Sequence, residues 1–260
     1  MNTEHLQDLL LSQEPKLHHG RTLLRSLRGA HHGASRGVIP TLPQLIISKI
    51  NNPDPTNKLW TSGIDTLTNE CIFPDMKGKY TAPGEYVLMT FHGEGIATKQ
   101  RIHHAMQTQY QDQRYVKLEE NDYNTLLDGV LPSGKTFPIF TLDDIGSEKI
   151  DIFKPHAIIQ PCDNDPTSAI VYCDLNTMLK NPVQLARLSG AEKHFKEYFE
   201  LAKDYDDQMI YNLMSSSTLY NYPHCRTLRV EMHRTGFNPR SLYQPAAFSS
   251  LNSSAKKHNQ

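Results

Sequence analysis

What most constrains this chain is a pair of short apolar runs, each of which stops at a residue with chemistry. In "GEYVLMTFHGEG" the run Tyr86 to Phe91 halts at His92-Gly93, and in "KPHAIIQPCDND" the run from Ala157 halts at Cys162. Runs of this length, rich in β-branched and aromatic residues and bounded by Gly, Pro and Asp, read as buried strands. If two such strands are parallel neighbours, His92 and Cys162 emerge together at the carboxyl edge of a sheet, where α/β folds hold their sites. A thiol gains reactivity beside an imidazole. Gly93 leaves its amide unshielded and suits an oxyanion donor.

The surrounding pattern supplies the other layers. "LPQLIISKI" reads as a strand, "TSGIDTLTNECIF" as a helix start capped by Ser62 or Asp65, and "IATKQRIHHAMQTQYQ" as a helix. "KTFPIF" is extended, "SAIVYC" and "QMIYNLMSSS" read as strands, and "NPVQLARLSGAEKHFKEYFELAKDYDD" is helical. Strands alternating with helices predict an α/β layered sheet rather than an all-helical bundle. The expected division is a leader over 1–38, a folded domain over 39–233 and a polar tail over 234–260. Within the domain, 39–175 and 208–233 are two sheet-forming parts joined by a helical linker over 176–207.

Two motifs compete with the His–Cys reading. "GVLPSGKT" satisfies the phosphate-loop pattern by letter, but that loop needs a strand before it and a helix after it. Here a helical segment precedes it and Phe137-Pro138 follows, so it reads as a turn. His92-Gly93-Glu94 with Pro161-Cys162 matches part of the zinc nucleobase deaminase signature. Asp165 stands where the second thiolate is needed.

Composition narrows the partners. A net charge of -1 gives no field for nucleic acid, and no apolar run is long enough to span a membrane. The N-terminal stretch carries early acids and no small-residue cleavage site, and the 4 cysteines are widely spaced. These features point to a cytoplasmic protein with no metal and no cofactor.

On these residues the chain resembles the caspase-type cysteine peptidases. That family's histidine closes a strand as His-Gly, as "YVLMTFHGEG" does, and its cysteine follows Lys-Pro and Ile-Ile-Gln, as in "KPHAIIQPC". "GKTFPIFTLDDI" resembles the connecting segment, and Thr218 and Arg226 in "SSSTLYNYPHCR" keep the spacing of the family's pocket arginine.

The resemblance implies an α/β caspase-like three-layer sandwich, with a mostly parallel central sheet flanked by helices, and an endopeptidase with a His92–Cys162 dyad. Gly93 and Cys162 would supply the oxyanion amides, and Gln160 and Arg226 would line a pocket for an acidic side chain. It implies a protein or peptide substrate, activation by cleavage near Asp204, Asp206 and Asp207, and a second copy or an adaptor as partner. Pro161, Asp163 and Thr61 depart from the family pattern, and they favour an alternative: a catalytically impaired relative that binds or regulates a peptidase or adaptor. A zinc-dependent deaminase is the third reading.

Overall fold

The computed structural model describes residues 16–17, 37–54, 56, 58–61, 64–96, 98–107, 115–145, 150–161, 194, 197–198, 200–201, 210–213, 224–233 and 246–249. The strands among them are β1 (Lys16–Leu17), β2 (Gly37–Val38), β3 (Ile64–Pro74), β4 (Tyr86–His92), β5 (Tyr115–Lys117), β6 (Ile139–Thr141), β7 (His156–Pro161), β8 (Ile210–Leu213), β9 (His224–His233) and β10 (Ala246–Ser249). The helices are α1 (Leu42–Asn51), α2 (Lys58–Thr61), α3 (Lys99–Gln107), α4 (Glu120–Leu127) and α5 (Leu142–Ile145).

Two segments fold opposite to their sequence reading. "LPQLIISKI" forms α1, not a strand. Its start is set by the Thr41 amide, which donates to Gln44 Oε1 at 3.0 Å, and by Pro43 in the first turn, where a missing N–H costs nothing. Leu42, Leu45, Ile46 and Lys49 are all buried and recur at helical spacing, so burial of one face outweighs the β-preference of the paired isoleucines. Conversely, the region expected to begin a helix forms β3, the longest strand described. Its pairing with β4 is regular from Thr68 to Pro74, so side chains there alternate between the two faces, and every residue from Thr66 to Phe73 is buried.

The main sheet has the order β5-β9-β3-β4-β7-β6, with β8 also paired to β9. All its pairings are antiparallel except β6–β7. The expected mostly parallel sheet is therefore corrected. The hairpin joining β3 to β4 makes those two strands antiparallel, and β7 then runs antiparallel to β4 in turn. That hairpin is organised by Asp75, whose carboxylate accepts the amides of Lys77, Tyr80 and Thr81. A second, small sheet joins β1, β10 and β2, drawn from the two ends of the chain.

One face of the main sheet is packed with apolar side chains. Cys71, Phe73, Val87, Met89, Phe91, Ala157 and Ile159 meet Tyr123, Leu126 and Leu127 of α4, together with Leu131 and Phe137. Phe91 and Phe137 meet edge to face at 4.9 Å. The phosphate-loop look-alike folds as the expected turn. Val130 and Thr136 bridge across it, the Leu131 amide donates to the Lys135 carbonyl at 2.8 Å, and Gly129 takes a φ of 71° that only glycine adopts at ease. Strands β4, β7 and β8 and helix α3 fall within their predicted segments, and β6 overlaps "KTFPIF" but runs on to Thr141. "SAIVYC" and most of the predicted helix after Asn181 lie outside the described residues.

Candidate functional site

The opposite face of the main sheet carries the residues with chemistry, and its geometry follows from strand pairing. Thr68 of β3 is the register partner of His92, and His92 is the register partner of His156 at the start of β7. Three polar side chains thus lie side by side across three strands. Thr68 Oγ1 stands 3.0 Å from His92 Nδ1, and the rings of His92 and His156 have centroids 4.9 Å apart. The row is sealed, since Thr68 is 0 % and both histidines are 1 % exposed.

Two members of the row, Thr68 and His156, are bonded to backbone groups. The Leu42 amide, an otherwise unpaired donor at the start of α1, donates to Thr68 Oγ1 at 2.7 Å. This bond ties the helix to the sheet. His156 Nδ1 donates to the Lys154 carbonyl at 3.0 Å, which makes Nε2 the acceptor nitrogen of a neutral ring. Burial lowers the pKa of His156, against the opposing pull of the Lys154 carbonyl and the Asp151 charge. Phe140 of β6 meets the His156 ring edge-on at 6.4 Å.

Farther along the same helix, Lys49 is wholly buried beneath an aromatic pair. Its ammonium lies 5.0 Å from the Trp60 ring centroid and 6.0 Å from that of Tyr198, and these two rings stack at 5.8 Å. Desolvation lowers its pKa to about 7. Contact with aromatic faces favours the charged form and works against that shift.

The pairing separates the two strand ends that lead to the residues expected to act together. Cys162 lies just outside the described residues, but its neighbour Pro161 pairs with Val87, at the far end of β4 from His92. Five positions of antiparallel strand separate Val87 from His92, roughly 17 Å. Both runs end at a reactive residue, and antiparallel pairing sends those ends to opposite edges. Gln160 is the register partner of Leu88, whereas Arg226 of β9 is the register partner of Glu70 in β3. Three strand spacings, roughly 14 Å, lie between the backbones of Gln160 and Arg226. Thr218 lies outside the described residues.

Gly93 is buried and has a packing role. A Cβ there would come within 2.9 Å of the Phe91 ring and 3.0 Å of Pro155, and its carbonyl accepts from Asn69 Nδ2 at 3.2 Å. The arrangement can orient helices and store buried protonation equilibria.

Sequence reasoning missed Thr68, His156 and Lys49. The available signal was the alternation of Thr66, Thr68 and Glu70 in β3, a strand period hidden by the expectation of a helix there.

Comparison with known proteins supports the same correction. No family model and no curated protein matches the chain. A solved structure described as "Accommodation of massive sequence variation in Nanoarchaeota by the C-type lectin fold" does match. Its TM-score is 0.55 at 13% identity, and the match covers 92% of this chain and 94% of that one. Caspase-type recognition, the parallel sandwich and the peptidase, pseudo-enzyme and deaminase readings built on it are overturned by this likeness. At such low identity the likeness is one of fold, and the fold is C-type lectin-like.

Proposed function

We propose that the chain is a binding module, a C-type lectin-like scaffold that holds a recognition surface for a protein partner. The observation that carries this reading is the sealing of the polar row. His92 and His156 are buried within the sheet rather than at an open edge, so they serve the framework. A framework fastened internally by the Thr68–Leu42 bond and by the apolar face leaves its exterior free to vary without loss of the fold. The matching solved structure is described as a fold that accommodates massive sequence variation. That is the property expected of a scaffold whose outside is specialised for binding. A nearly balanced net charge of -1 favours a protein surface over a polyanion as partner.

The test is selection of protein ligands from a displayed library on the folded chain, followed by titration of the selected ligands. Saturable binding that persists in Cys162→Ala and His92→Gln supports the module. Failure to select any saturable protein ligand, or peptide hydrolysis abolished by Cys162→Ala, would overturn it.

A further inference from the structure

Beyond the binding role, the register of the sheet places two cysteines opposite one another. Strand β9 pairs with β3 in an uninterrupted stretch from Asn69↔Thr227 to Ile72↔His224, and within it Cys71 is the Cα partner of Cys225. Directly opposed residues in antiparallel strands have Cα atoms about 4.5–5.5 Å apart. Disulfides span Cα separations of about 4.4–6.8 Å. A slip of the register would set Cys71 against a different residue of β9, so this pairing also reports the register itself.

We propose that Cys71 and Cys225 form a cross-strand disulfide that fastens β9 to the centre of the main sheet. The ladder places the two Cα atoms at a register position whose usual separation a disulfide can span. The bond would join strands far apart in sequence, and closing so long a loop restricts the unfolded chain strongly. The position matters for the architecture, since β9 is the strand on which both β5 and β8 are paired.

The oxidant is a small-molecule disulfide of the glutathione class. One cysteine thiolate attacks it and expels one glutathione thiolate, leaving a mixed disulfide. The second cysteine thiolate then attacks the protein sulfur of that mixed disulfide and expels the other glutathione. Two electrons pass from the cysteine pair to the oxidant, and the two thiol protons end on the two released glutathione molecules. Cys71 is 0 % exposed, so the first exchange takes place while β9 is undocked, during folding or a transient opening of the sheet edge.

The experiment is oxidation of the full chain in a glutathione buffer, alkylation of remaining thiols, and digestion without reductant before mass spectrometry. The expected result is a Cys71–Cys225 linked peptide that dithiothreitol removes, with Cys162 and Cys173 alkylated. Thermal unfolding should shift upward on oxidation, and Cys225→Ser should abolish that shift while remaining folded by circular dichroism. If Cys225→Ser does not fold, the linked peptide in the native chain decides alone. Alkylation of both Cys71 and Cys225 in the oxidised, folded protein would overturn the proposal, as would linkage of Cys71 to Cys162 or Cys173.

Discussion

The two faces of the main sheet are built from the same strands and solve different problems. One face, with Phe73, Val87, Met89, Phe91 and Ile159, is apolar and closed by α4. The other is equally dry yet carries Thr68, Glu70, Thr90, His92 and His156. Apolar burial is tolerant of detail and gains free energy with every Å² covered. A buried polar row gains little on balance and costs heavily when a partner is missing, so it specifies which helix docks where. The contrast assigns stability to the first face and uniqueness of arrangement to the second.

The largest effect that would test this division lies on the apolar face. Phe91→Ala removes a wholly buried ring and its edge contact with Phe137, and it should destabilise the chain by about 3–5 kcal/mol in denaturant titration. A loss under ~1 kcal/mol would mean that this face is not the main source of stability. Next comes Thr68→Val, which keeps the shape but strips the acceptor from the Leu42 amide and the contact with His92 Nδ1. A cost of about 1–3 kcal/mol is expected, with faster hydrogen exchange in α1 than in α4. Equal exchange in both helices would break the link between the polar row and the docking of α1.

Titration sharpens the comparison further, because Lys49 of α1 and His156 of β7 both have pKa values lowered by burial. Lys49 has a folded pKa of about 7 against 10.5 unfolded, so between those values the unfolded chain binds the extra proton. Stability therefore rises as pH increases from about 7 to 10.5, with a slope of up to about 1.4 kcal/mol per pH unit. Lys49→Met should remove that alkaline rise, as measured by unfolding midpoints across the range. A rise that survives the substitution would assign it elsewhere.

His156 gives the smaller, acid-side effect. Its folded pKa lies below the usual 6.5, so as pH falls through 6.5 the unfolded state takes up a proton before the folded state does. Stability is full above 6.5, declines as pH drops toward the folded pKa, and levels off below it. His156→Phe should flatten this decline, and the same acid slope in the variant would remove His156 as its source.

Much of the local structure was legible in the sequence. The runs Tyr86 to Phe91 and Ala157 to Ile159 are strands because their side chains alternate between two dry faces. The segment 129–136 is a turn because Gly129 and Gly134 adopt positive φ. The helix over "LPQLIISKI" was harder to see. Its β-branched residues argue for a strand, and only burial of one face against β3 decides otherwise. The buried row was illegible for a related reason: Thr68 and His156 are unremarkable until β4 comes between them.

By itself the sequence determined where several of the described segments extend, coil or turn, since those choices depend on side-chain period and backbone sterics within a few residues. It also placed a reactive residue at the end of each of two strands. Only the tertiary structure decided whether those ends meet. Strand direction in a sheet is set by how connections return the chain, and a period of two reads the same from either end. Antiparallel pairing of β4 with β7 put His92 beside His156 and sent the end bearing Cys162 to the opposite edge.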